Sequence, residues 1–156
     1  MQRLTDACIA YILCLSCCAY GCGWPEEPDV GPLRAGLCMP DDSNPRTEVS
    51  FSRDIQPLFN RGPQGCSCHL REDGGLPTAL QVSGLDLSRY ETLLAGGLRG
   101  GPTTVIPGQP CNSTLLLKLS STPPFGDRMP SDGPPYWTPQ ERSLLRDWIA
   151  EGARNN

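Results

Sequence analysis

The sequence predicts an all-α fold of about four short helices joined by long Gly- and Pro-rich loops. Apolar residues recur at helical spacing in four stretches, each opened by a capping residue. No alternating strand pattern appears beyond a few residues around Val105. Seventeen Gly and seventeen Pro, set against three Phe, three Trp and four Tyr in 156 residues, imply a thin core that a cofactor or disulfide would prop from inside. A formal charge of -4 argues against a nucleic-acid partner and favours a partner protein with a basic docking face.

Residues 1–21 read as a signal peptide. Arg3 and the amino terminus precede an apolar run from Ala7 to about Tyr20, too short for a transmembrane span of ~20 residues and ending in small residues before a cysteine. The segment AYGC resembles the lipobox of bacterial lipoproteins, which makes Cys22 the lipidated residue and a lipid anchor the link to a membrane. LSCC, ending at Cys18, is a competing site, and ordinary secretion with Cys22 free or paired is the third reading. Each places the mature chain in the cell envelope or outside the cell.

Residues 22–48 are rich in Pro, Gly and acid, show no periodicity, and read as a flexible tether. Cys38 is its odd feature. An unpaired thiol outside the cytoplasm tends to be oxidised, and apart from the candidate lipidation site Cys22 and the pair in the CSCH run of residues 66–69 the other cysteine past the leader is Cys111, so a Cys38–Cys111 bridge is expected.

The folded domain spans residues 49–156. In VSFSRDIQPLF, Ser52 is the expected cap of a helix whose apolar positions are Ile55, Leu58 and Phe59, with Pro57 near enough to its start to be tolerated. LREDGGLPTALQVSG reads as a Gly-rich loop. In LDLSRYETLLAGG a capping box of Ser88 and Glu91 and a stop at Gly96 bound a helix from about Arg89 to Ala95. VIPGQPCNSTLLLKLS turns at Pro107 and Gly108, and Asn112 is the expected cap of a helix of about two turns with Leu115, Leu116 and Leu119 on one side. PPFGDRMPSDGPP is a loop. The last helix is signalled best: Thr138 as cap, Pro139 at the first position, Glu141 at the third, Gly152 beyond the end, and a stripe of Leu144, Leu145, Trp148 and Ile149.

The chemistry lies in GCSCHL, residues 65–70, which holds Cys66, Cys68 and the single histidine, His69. Cysteine followed directly by histidine is how the covalent haem motif CxxCH ends. Haem needs axial ligands, and after removal of the leader the chain offers His69 and two methionines, of which Met129 sits in the proline-rich loop before the last helix. A Met partner raises the reduction potential.

The run VSFSRDIQPLF, CH, GGL, LDLSRYETLLAGG, VIPGQPCNSTLLLKL, FGDRMPSDGPP and TPQERSLLRDWIAEGA, covering residues 49 to 154, resembles the cytochrome c domains of the planctomycete type found in secreted and envelope proteins. The resemblance implies haem c bound through Cys68, His69 and Met129, with His69 and Met129 on the iron, and electron exchange with a redox partner protein.

Cys66 departs from the pattern. In an α-helix residues three apart are separated by about 300° and residues two apart by about 200°, which turns Cys66 away from the place of the missing cysteine at Gly65. One thioether, through Cys68, is the expectation; a turn at GPQG would bring Cys66 within reach and allow two. The sequence holds no Ser/His/Asp set and no second histidine, so no small-molecule substrate is expected to be turned over. Three alternatives stay open: a zinc site of Cys66, Cys68, His69 and Cys111; a disulfide involving Cys66; and a haemless, degenerate domain acting as an envelope binding or structural module.

Overall fold

The computed structural model describes residues 38–62, 65–71 and 77–156. All of them belong to one compact unit, Leu33–Asn156; the other unit, Met1–Pro32, lies outside the described residues, and with it the signal peptide and Cys22. The described residues are helical and contain no strand, as the all-α reading expects.

A π turn over Phe51–Ile55 runs directly into α1, Gln56–Asn60. The N–H of Gln56 reaches back five residues to the carbonyl of Phe51. Pro57 follows it with no N–H to give and with a ring that crowds the carbonyl four residues back, and the wider turn relieves both. Ser50 is the cap, its Oγ accepting from the N–H of Arg53 at 3.2 Å. Ser52, the expected cap, stands inside the first turn and donates its hydroxyl to the carbonyl of Asn156 at 2.8 Å. Ile55 and Phe59 are fully buried.

α2, Thr78–Ser83, occupies a stretch that the sequence reads as loop. Pro77 opens it and Gly84 closes it in the left-handed conformation, φ 65°. α3 is Tyr90–Ala95. Its expected capping box does not form: Arg89 holds the cap position with no side-chain bond, while the hydroxyl of Ser88 accepts the N–H of Arg71 at 2.6 Å. Gly96 does stop it, at φ 74°, where a Cβ would lie 1.9 Å from the carbonyl oxygen of Gly101.

A 3-10 turn over Pro110–Asn112 leads into α4, Thr114–Lys118. Ser113, not Asn112, stands at its cap position, and its hydroxyl is tied to the Ile106–Gln109 turn, accepting from Ile106 N at 2.9 Å and donating to Gln109 O at 2.9 Å. Asn112 instead donates to the side chain of Gln109. α5, Pro139–Ala150, carries the full capping box of Thr138 and Glu141. Leu145, Trp148 and Ile149 are fully buried along it, with Leu144 partly buried at the edge.

The core joins the two ends of the domain. Phe51 packs edge-on against Tyr90 and tilted against Trp148, ring centroids 5.4 Å apart in both pairs, and Phe59 meets Trp137 at 6.0 Å. The polar tips of these rings are satisfied: Tyr90 donates to the carbonyl of Ala153 and Trp148 to that of Arg154.

The segment read as a tether is fastened over its last part. Cys38 is disulfide-bonded to Cys111, the amide of Ser43 donates to Asp147 Oδ1 at 3.0 Å, its hydroxyl bonds Asp147 Oδ2, and Glu48 pairs with Arg154. Asp147 is buried on α5 because Ser43 and Arg146 satisfy its oxygens. Residues 38–48 are thus part of the folded unit, and the rest of the segment read as a tether, residues 22–37, lies outside the described residues.

Candidate functional site

α1 ends at Asn60, and the chain folds back on that end. The N–H of Cys66 donates to the carbonyl of Phe59 at 2.8 Å, which fixes the start of the cysteine segment against the last turn of α1. Gly65 is buried in this fold-back: a Cβ there would stand 1.8 Å from the carbonyl oxygen of Arg61 and 2.6 Å from that of Phe59. Both obstacles are backbone and cannot swing aside.

Ser67–His69 form a 3-10 turn, so the α-helical angle used to separate the sulfurs does not apply here. Their surroundings separate them instead. Cys66 packs against the hydrophobic core, and burial pushes its thiol up to about 12, with the Arg61 charge opposing and Cys68 and Asp132 adding to the rise. Cys68 is exposed. Both are free thiols, so a disulfide involving Cys66 is not formed, and the zinc reading loses its fourth ligand because Cys111 is bonded to Cys38.

The ring of His69 is held by the stretch that links α2 to α3. Its Nδ1 lies 3.2 Å from the carbonyl oxygen of Leu85 and 3.3 Å from the hydroxyl of Ser83. A carbonyl only accepts, and the Ser83 hydroxyl spends its proton on the carbonyl of Ala79 at 2.6 Å. Nδ1 therefore carries the ring hydrogen, and Nε2 is left with its lone pair. Burial also lowers the pKa of His69 from the usual histidine range, against the smaller opposing effect of the Leu85 carbonyl, so the ring favours the neutral form that a ligand needs.

Met129 lies half-buried at the edge of the same core that Cys66 touches. Its loop is strapped to the end of α4: Met129 N donates to the carbonyl of Lys118 at 2.8 Å, and Lys118 Nζ donates to the carbonyls of Phe125 and Asp127. Arg128 stacks 3.8 Å over the ring of Tyr136 and donates to the carbonyl of Leu119. The cysteine and methionine loops share this core as a neighbour, and the charge of Asp132, three residues past Met129, adds to the rise of the Cys66 thiol. Met39, the other methionine of the mature chain, is 65% exposed.

Sequence reasoning missed Ser83 and Leu85 because both reach His69 across the chain, and missed the burial of Gly65 for the same reason. Among the described residues no three His, Cys, Asp or Glu side chains gather as a metal-ion site, and no helix is long and apolar enough to cross a membrane. No protein-family model, no curated protein and no solved structure matches this chain.

Proposed function

We propose that this chain is a monohaem c-type cytochrome, exported and lipid-anchored in the cell envelope, that exchanges single electrons with a partner protein and turns over no small-molecule substrate. The observation that supports this reading most is the His69 ring, neutral and fixed through Nδ1 so that Nε2 is free to ligate. Ligating histidines are oriented by a carbonyl on their other nitrogen in just this way.

The donor set fits haem c: one imidazole, a thioether in a strapped loop, and an exposed thiol beside the imidazole. Haem iron, when bound, supplies a one-electron couple whose potential follows its axial ligands and its burial. His69 and Met129 would hold that iron. Leu85 and Ser83 keep the imidazole in one tautomer, and the Lys118 and Arg128 contacts hold the Met129 loop. The mature protein made alongside haem-maturation machinery is expected to be red with a reduced α band, and His69→Ala to lose that spectrum. A colourless wild-type product overturns the reading.

A second reading has an observation of its own. Gly65 stands where the first motif cysteine belongs and has no room for a side chain, as expected of a haemless envelope module in which this segment serves packing alone. It predicts that His69→Ala leaves folding and stability as in wild type. A large loss of stability in that variant, measured on protein matured with haem, counts against it, because a ligand bound only to the folded state stabilises it.

A further inference from the structure

We propose that Cys68 is the sole covalent attachment point for haem in this chain and that Cys66 is a core residue which takes no part in attachment. This rests on the haem reading above and assigns the chemistry of its two thiols.

Gly65 excludes the ordinary two-cysteine arrangement. A side chain there meets the carbonyls of Arg61 and Phe59, and the Cys66 N–H bond to Phe59 locks the same fold-back. The segment therefore has no place for a cysteine three residues before Cys68. Cys66 does not replace it. Its side chain is partly buried against the core, and its backbone is pinned to Phe59 at the end of α1; that burial raises the thiol's pKa. The thiol two residues on stands outside that packing. Cys68 is exposed, adjoins His69, and shares its 3-10 turn.

Attachment is an addition. The Cys68 S–H bond breaks, sulfur bonds to the inner carbon of one haem vinyl, and the hydrogen ends on the outer carbon. Nothing is oxidised or reduced overall, and no co-reactant is consumed. The second vinyl remains conjugated with the ring.

The test uses the full chain matured with haem machinery, denatured without reductant, alkylated, and mapped over residues 62–71, which tryptic cleavage at Arg61 and Arg71 releases as one peptide. That peptide is expected to carry haem and one alkyl group, with fragmentation placing the alkyl group on Cys66 and haem on Cys68. The pyridine haemochrome band is expected to the red of the two-thioether position. Cys66→Ser is expected to keep haem through denaturation and Cys68→Ser to release it; the wild-type peptide map gives the same answer should either variant fail to fold. A red protein whose peptide takes up no alkyl group, or carries haem on Cys66, overturns this inference and leaves the haem reading standing. A colourless wild-type protein overturns both.

Discussion

Arg61 and Glu141, 80 residues apart in the chain, are locked together by two hydrogen bonds, Nη1 to Oε1 and Nη2 to Oε2, the second 2.8 Å long. The pair closes the gap between the end of α1 and the first turn of α5. Glu141 also accepts the N–H of Thr138 at 2.7 Å, and the Arg61 guanidinium lies 5.6 Å from the Trp137 ring centroid. One carboxylate thus caps a helix and anchors the entry to the cysteine segment.

This pair predicts an acid-sensitive part of the stability. Hydrogen bonds from Arg61, reinforced by the cap, hold the Glu141 carboxyl down at about 2 against an ordinary 4.5. A depressed folded-state value means that the stabilisation is complete above pH 4.5 and is lost as pH falls from there through about 2. Glu141→Gln keeps a capping side chain and removes the charge. At neutral pH it is expected to cost about 1–2 kcal/mol in urea unfolding, held to that range because the pair is partly solvated. The cost should shrink toward zero at the acid end of the window; a penalty independent of pH would assign the effect to packing.

The disulfide predicts a larger effect. Cys38 and Cys111 are 73 residues apart, and closing a long loop in the unfolded chain removes much of its entropy. Cys38→Ser with Cys111→Ser is expected to lower unfolding free energy by about 2–5 kcal/mol. Amide exchange at Ser43 should rise with it, because the bond holds the segment that places Ser43 on Asp147. Unchanged exchange would mean that the Asp147 bonds hold the segment unaided.

The helices were legible to the degree that their signals are local. α5 carries its cap, first-turn proline and stripe within one stretch, and all three appear in the structure. α2 was missed because it buries only Leu80 while Val82 is 74% exposed, leaving no stripe to read. Three caps were misplaced for one reason: Ser52, Ser88 and Asn112 are good capping types, but Asn156, Arg71 and Gln109 take their side chains. The site divides likewise. Cys68, His69 and Met129 are recognisable by type and order, whereas the Leu85 carbonyl behind His69 and the carbonyls around Gly65 exist only once the chain is folded.

Asn156 tests how far the segment after α5 supports the start of the domain. Its side-chain oxygen accepts the N–H of buried Phe51 at 2.9 Å, and its carbonyl accepts from Ser50, at 2.6 Å, and from Ser52. Asn156→Ala removes only the first bond and leaves a buried donor unmet. The expected cost is about 1–2 kcal/mol, read in thermal or urea unfolding. A neutral result would show that water reaches the Phe51 amide.

Gly65 gives the last prediction, because it separates what the motif suggests from what the fold allows. By motif alone, Gly65→Cys rebuilds CxxCH with Cys68 and His69 and should add a second attachment point. By geometry it should fail, since its first side-chain atom would stand 1.8 Å from the Arg61 carbonyl oxygen and 2.6 Å from that of Phe59. Relief requires α1 to unwind at its end or the Cys66 N–H to leave Phe59, and either shifts Arg61 relative to Glu141. Gly65→Ala meets the same obstacle without a thiol, and is expected to cost at least the ~1–3 kcal/mol typical of overpacking a tight site. Gly65→Cys should be destabilised about as much as Gly65→Ala and show no second thioether in its haemochrome spectrum. On the haem reading, a stable Gly65→Cys protein with a two-thioether spectrum would mean that the bond from Cys66 N–H to Phe59 opens on attachment.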